Sequence, residues 1–189
     1  MMKDLLSPAR TTMESFALCP LLIVVRDDAK ESGANICVAS YVGVLSETPP
    51  IIGVALRPQR HTHGLIERFR AFSINLPEPS MLKALDFCGS KKGIQVDKAG
   101  ETGLVLTPAV GIDGFNLDQC PINLECQLIQ TLTFPELGAS HTYFVGRVVR
   151  AWRRPGYELD RNDVIVTTNY TYRLAAEKMG EAYKSWRKE

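Results

Sequence analysis

The sequence predicts a mainly β protein, a mostly antiparallel barrel with short helices, on three observations. Short β-branched runs bounded by turn residues recur along the chain, beginning with Leu21-Leu-Ile-Val-Val25. They do not alternate with long amphipathic helices, which argues against a doubly wound α/β sheet. The connection over 77–103 is long and partly helical, so a Greek-key path fits better than regular up-and-down hairpins.

Leu21–Val25 lies between Pro20 and Asp27-Asp28 and reads as a buried strand, and the polar, glycine-containing stretch Asp28–Gly33 as a turn. Asn35–Leu45 is a second strand of mixed polarity, interrupted by Ser40 and Gly43. Pro49-Pro50 ends the next connection, and Ile51–Leu56 is a third strand. Thr62 is placed to cap a short helix carrying Leu65, Ile66 and Phe69 at helical spacing. Phe72–Leu76 returns to strand. Ser80 then caps a second helix that Gly89 would end. Residues 90–121 are loop-rich, with one strand at Leu104–Leu106. Ile122–Thr133 and Thr142–Trp152 are the longest strand candidates, followed by Asp163–Thr168. Residues 174–189 read as a helix, because Ala175, Met179, Ala182, Tyr183 and Trp186 make an apolar stripe opposite Glu177, Lys178, Glu181, Lys184 and Lys188. Residues 1–12 read as a short N-terminal arm. With no repeat or linker, residues 1–189 are expected to form a single domain.

Composition narrows the function. The 22 basic and 21 acidic side chains leave a net charge of +1, which argues against a protein built to grip nucleic acid or an anionic membrane. At 45% hydrophobic and 23% charged residues, the chain is that of a folded protein and not a disordered one. No run approaches the ~20 apolar residues that cross a bilayer. The five cysteines (Cys19, Cys37, Cys88, Cys120 and Cys126) are odd in number and lack C-x-x-C spacing, so free thiols and a cytoplasmic location are expected.

The sequence holds no G-x-S-x-G, Walker loop, G-x-G-x-x-G or H-E-x-x-H, and no catalytic side chain or metal set is assigned. His61 and His63 could share a strand face, a permissible metal geometry, but no third ligand lies near. Arg57-Pro-Gln-Arg-His-Thr62 follows a strand and leads into a helix. Helix N-terminal amides, the Thr62 hydroxyl and the Arg60 guanidinium together suit a phosphate monoester. Alternatively, Thr62 only caps its helix while Arg57 and Arg60 are solvated. Asn35, Ser40 and Tyr41 would suit a flat heteroaromatic ring, or belong to an exposed edge strand. Gly89-Ser-Lys-Lys-Gly93 with Asp97-Lys98 is a flexible basic loop, a pattern that usually marks a solvated segment.

In their order and spacing, Asn35-Ile-Cys-Val-Ala-Ser-Tyr41, Thr48-Pro-Pro-Ile-Ile52, Arg57-Pro-Gln-Arg-His-Thr62, Phe72-Ser-Ile-Asn-Leu-Pro77, Cys88-Gly89, Asp97-Lys98 and Cys120-Pro-Ile-Asn-Leu-Glu-Cys126 resemble one family. It is the flavin reductase-like family of FMN-binding split barrels, and the resemblance is nearest its flavoredoxin branch. It runs from Cys19 to Trp152. It implies a six-stranded antiparallel Greek-key split barrel and a homodimer with FMN near the subunit interface. By the same resemblance, Asn35, Ala39, Ser40 and Tyr41 contact the isoalloxazine and ribityl chain, and Arg60 and Thr62 hold the phosphate. Asn75 lines the site, Lys98 lies at the pyrimidine side of the ring, and His141 lies near its exposed side. Two departures stand out: Tyr41 where the branch often has Trp, and Ser90-Lys-Lys-Gly93 where the loop commonly reads Ser-Gly. The implied activity is that of an NAD(P)H-dependent flavin reductase or flavoredoxin-like electron-transfer protein. Hydride would pass from NADH or NADPH to flavin N5 and on to an acceptor that the sequence leaves open. The alternatives are an FMN-binding carrier or regulatory protein without turnover, and a structural dimer with an empty cleft.

Overall fold

The computed structural model describes residues 15–158, 164–168 and 171–174. The strands are β1 (Leu21–Arg26), β2 (Ala34–Ala39), β3 (Val42–Ser46), β4 (Ile51–Leu56), β5 (Ala71–Leu76), β6 (Leu106–Pro108), β7 (Phe115–Leu117), β8 (Ile122–Leu132), β9 (Thr142–Arg153), β10 (Ile165–Thr168) and β11 (Thr171–Leu174). Three helices interrupt them: α1 (His61–Phe69), α2 (Leu82–Ser90) and α3 (Lys98–Thr102). Seven strands form one sheet in the order β2-β1-β5-β8-β9-β4-β3, with every pairing antiparallel.

β2 and β3 are neighbours in sequence but occupy opposite ends of that sheet, so the segment that joins them closes it into a barrel. The second strand read from the sequence is in fact broken at Ser40-Tyr41, where the backbone crosses over and the Tyr41 carbonyl accepts from the Ala55 amide at 2.9 Å. This break makes seven strands of the six expected.

Two apolar cores lie on either side of the sheet. Ile23, Val25, Val54, Phe72, Ile74 and Phe144 fill the barrel, and α1 closes one end with Leu65 and Ile66. Leu22, Val24 and Ile36 face outward into a second core beneath α2, α3 and β7, built with Leu85, Ala99 and Leu117. β1 is therefore buried on both faces, the reason its sequence is continuously apolar instead of alternating.

The helix termini differ from the sequence expectation. Arg60, not Thr62, is the N-cap of α1, and no side chain caps it. A short turn over Pro79–Met81 runs directly into α2, which continues through Gly89 to Ser90. The strand expected at Leu104–Leu106 lies at Leu106–Pro108, and β11 extends to Leu174, where the terminal helix was expected to begin. The rest of that helix and the N-terminal arm lie outside the described residues.

A polar network fixes β7 to the outer face of the sheet. Ser73 donates to the Phe115 carbonyl at 2.6 Å, and the Leu117 amide donates to Asn75 Oδ1 at 3.0 Å. The Glu125 carboxylate, 0% exposed, accepts from Asn116 Nδ2 at 2.7 Å, Trp152 Nε1 at 2.6 Å and the amides of Val110 and Gly111. Burial pushes its pKa up, but those four hydrogen bonds together outweigh it and hold the carboxyl below its ordinary value. Such a group stabilises fully above its unfolded-state pKa and loses that contribution as pH falls through its folded-state pKa. Glu125→Gln is therefore expected to cost about 2–4 kcal/mol at neutral pH, read from urea unfolding. The gap to wild type should close in acid; a gap that persists there would show that the charge is not what matters.

Candidate functional site

A cleft of about 1800 Å³ opens along the free edge of β2. β2 pairs only with β1, so its second edge, Cys37 to Tyr41, forms one wall. The end of β4 and the first turn of α1, Ala55 to Thr62, form the next. The loop after α2 and the buried Lys98 form the third, and Ser140 and His141 stand at the rim beside Tyr41. Leu18, Thr167 and Tyr172 bound the far side, where Leu18 and Thr167 exchange backbone hydrogen bonds at 3.1 and 2.7 Å.

The sheet holds the N-terminus of α1 by one buried and one part-buried contact. Thr62, its second residue, accepts from Asn35 Nδ2 of β2 at 2.7 Å. His61 Nε2 lies 2.7 Å from the buried Asp27 carboxylate just beyond β1. With no side-chain cap, the His61 and Thr62 amides and the positive end of the helix dipole remain available to an anion beside Arg60, while the His63 amide donates to the Arg60 carbonyl at 2.9 Å. Gly93 packs against the Asn35 amide so closely that any Cβ there would collide with Oδ1.

The cleft is electropositive. Among the described residues, Arg57, Arg60, Lys91, Lys92 and Lys98 line it, against the single carboxylate of Asp86. Among the described residues none of the five cations has a carboxylate within 4.0 Å. Lys98 is 3% exposed, and its Nζ donates to the Cys88 carbonyl at 2.6 Å. Desolvation pulls its pKa down, with further lowering from Arg60 and Lys30. His141 is likewise lowered, first by burial and then by Arg57 and Arg60. Its ring stands 5.1 Å from that of Tyr41, tilted by 55°. A buried, unpaired lysine is costly unless something electron-rich faces it.

Of the residues singled out from the sequence, Ala39, Ser40, Tyr41, Arg60, Thr62, Lys98 and His141 come together on this cleft. Asn35 stands behind it, 2% exposed, as the support for Thr62. Asn75 is not on the cleft. Its amide donates to the Leu22 carbonyl and Ser73, and accepts from Leu117 and Asn123, so it belongs to the network on the outer face. His61 and His63 do not converge: they sit on α1 and serve Asp27 and Thr142 respectively. The sequence reading assigned no site role to Cys37, His61 or Cys88, which lie within the segments that carry the resemblance, and it missed Asp86 and Tyr172, which no local pattern marks.

An FMN-sized ligand fits these groups. The uncapped helix end with Arg60 suits a phosphate, Tyr41 offers an aromatic plane, and Lys98 offers an unpaired cation to an electron-rich ring. The flavin reductase-like domain spans residues 13–173, and the chain belongs to that family. It is 34% identical over 116 residues to an uncharacterised protein from Pyrococcus abyssi, a match covering 61% of this chain and 64% of that relative. The chain thus matches less than two thirds of that relative's own length. Among solved structures, flavoredoxin from Methanosarcina acetivorans superposes with a TM-score of 0.85 at 24% identity, covering 98% of this chain and 97% of that one. Flavoredoxin of Desulfovibrio vulgaris (Miyazaki F) gives 0.82 at 23%, over 98% and 99%. An FMN-binding protein from Thermus thermophilus gives 0.80 at 24%, over 96% and 99%. The architecture is accordingly the split barrel.

All five cysteines are free. Burial raises the thiol pKa of each, that of Cys88 to about 11 despite the opposing charge of Lys98. The native protein is expected to show no fast-reacting thiol toward a disulfide reagent at neutral pH, and five once unfolded. A fast native equivalent mapping to Cys37 or Cys88 would mean that the cleft wall is open to solvent.

Proposed function

We propose that this chain is an FMN-binding flavoprotein that acts as an NAD(P)H-dependent flavin reductase or flavoredoxin-like electron-transfer protein. The observation that carries the reading is Lys98, a buried cation with no carboxylate partner among the described residues, in the same cleft as Arg60 and the uncapped end of α1. Family membership supports the cofactor's identity. When bound, FMN would supply the redox chemistry, taking hydride from a reduced nicotinamide at N5 and passing electrons to an acceptor. We assign no catalytic acid, base or nucleophile to the protein.

The chain's own residues bind and bias. Arg60 and the first-turn amides of α1 hold the phosphate, while Thr62 is kept in place by Asn35. Ala39, Ser40 and Tyr41 follow the ring along the free edge of β2. Lys98 places positive charge where the ring system becomes more anionic on reduction, and its burial keeps water from screening that charge. The proposal includes a homodimer with the cofactor near the subunit interface, and a cytoplasmic location consistent with five free thiols. Among the described residues no helix is long and apolar enough to cross a membrane.

The test is the absorbance of purified protein after FMN addition and desalting, followed by anaerobic NADH and then NADPH. Retained colour that either nicotinamide bleaches supports the reductase. Retained colour that neither bleaches favours the alternative of an FMN carrier, and no binding even on titration would defeat the cofactor assignment. Arg60→Ala and Thr62→Val are each expected to weaken FMN binding by about 1–3 kcal/mol. Affinity unchanged in both would remove the phosphate from this end of α1. Lys98→Met is expected to lower the flavin reduction potential, measured by dye equilibration. An unaltered potential with FMN still bound would take Lys98 out of the site.

A further inference from the structure

We propose that Ser32, acting through Asp97, is a positioning residue for Lys98, so that the turn between β1 and β2 sets the buried charge of the cleft. That Lys98 faces a flavin rests on the reading above; that Ser32 governs Lys98 rests on the fold alone. The starting point is a carboxylate beside a lysine with which it does not pair. Asp97 and Lys98 are adjacent in sequence, yet among the described residues no carboxylate lies within 4.0 Å of the Lys98 ammonium. Neighbouring positions at a helix start point in different directions, here toward two different anchors. Lys98 Nζ donates to the Cys88 carbonyl near the end of α2 at 2.6 Å. Asp97 faces the β1–β2 turn, where Oδ1 accepts from the Ser32 hydroxyl at 2.7 Å and Oδ2 from the Ser32 amide at 2.8 Å. The Ala34 carbonyl is a more distant acceptor for that hydroxyl, at 3.2 Å.

Capping alone does not account for this arrangement. Asp97 is the N-cap of α3, but the Gly100 amide that it caps stands 3.5 Å away, at the limit of a hydrogen bond. The short contacts go to Ser32. Burial pushes the Asp97 pKa up, but the Ser32 hydroxyl and amide, with the Gly100 and Ala99 amides, outweigh it and hold the carboxyl below its ordinary value. α3 has five residues, too few to be stable as an isolated helix. It depends on its anchors, and Ser32 supplies one at the end where Lys98 stands. The turn that carries Ser32 is itself closed: the Asp27 amide donates to the Gly33 carbonyl at 2.8 Å, and the Gly33 amide to the Lys30 carbonyl at 3.0 Å. Lys30 Nζ reaches the Ile94 carbonyl at 3.1 Å, so the turn holds the chain leading into α3 at a second point. Burial lowers the Lys98 pKa; the Cys37 and Cys88 thiols oppose that shift, and Arg60 and Lys30 add to it. Loosening the start of α3 would return the ammonium toward water. Its pKa would then rise, and the hydrated charge would stabilise a reduced ring less.

The test follows the Lys98 ammonium by NMR titration of the full chain carrying isotope-labelled lysine, with its signal identified by its loss in Lys98→Met. Ser32→Ala removes the hydroxyl without changing any charge. It is expected to raise the proton affinity of Lys98 about threefold or more, toward that of an exposed lysine. Glu125→Gln, which weakens the network on the outer face of the sheet, should leave that titration in place. With FMN bound, Ser32→Ala should lower the reduction potential in the same direction as Lys98→Met, but by less. A Lys98 titration unmoved by Ser32→Ala, or moved as far by Glu125→Gln, would overturn the inference. So would an unchanged potential in Ser32→Ala where Lys98→Met lowers it. A titration moved by Ser32→Ala alone, in a chain that binds no FMN, would keep the inference and sink the flavin reading. FMN retained with the titration unmoved would do the reverse.

Discussion

The bend at Ser40-Tyr41 is the constraint on which barrel and cleft both depend. Before it, the chain pairs with β1; after it, with β4, at the opposite end of the same sheet. The barrel closes through this one crossing, and β2 leaves it with an edge that no strand covers. An open edge is ordinarily a hazard, since its unpaired amides and carbonyls invite another strand. Here the first turn of α1 and the loop after α2 stand over it. The gap left is a cleft with backbone polar groups along one wall, an arrangement suited to a flat ligand with heteroatoms at its edge.

Two buried charges show how differently the fold treats structure and site. Glu125 is surrounded by four donors: three hold β7 and the loop before it to the sheet, and the fourth, Trp152 on β9, ties the carboxylate to the neighbouring strand. Lys98 has one carbonyl, leaving donors of its ammonium unused, in a field made more positive by its neighbours. A protein optimised only for stability would have given that lysine a carboxylate or replaced it with an apolar residue. Its retention as an unpaired cation is intelligible if the missing partner is a ligand.

The apolar runs of β1, β4 and β5 were legible because each is buried on at least one face and bounded by turn residues. The break at Ser40-Tyr41 was not, since the strand pattern continues through it and only the tertiary crossing interrupts it. α3 and β7 were also missed. They are short and held from far along the chain, by Asp97 at Ser32 and by Asn75 at the Leu117 amide. The same reason governs the site. The phosphate-suited segment could be read locally, because a helix start and its basic residues are adjacent in sequence. Asn75 was assigned to the site by family position, yet cross-strand hydrogen bonds over 42 and 48 residues commit it elsewhere. The pairing of Asp27 with His61, 34 residues apart, leaves no sequence pattern at all.

These long-range contacts converge on one end of the cleft. There, Asn35 and Asp27 tie the first turn of α1 to the end regions of β2 and β1, so groups suited to an anion are placed by the sheet. Such preorganisation favours a cofactor held in one geometry, because little order remains to be imposed when it binds. The loop after α2 joins the same support, since Gly93 packs against the Asn35 amide while the neighbouring Lys91 and Lys92 side chains stay exposed.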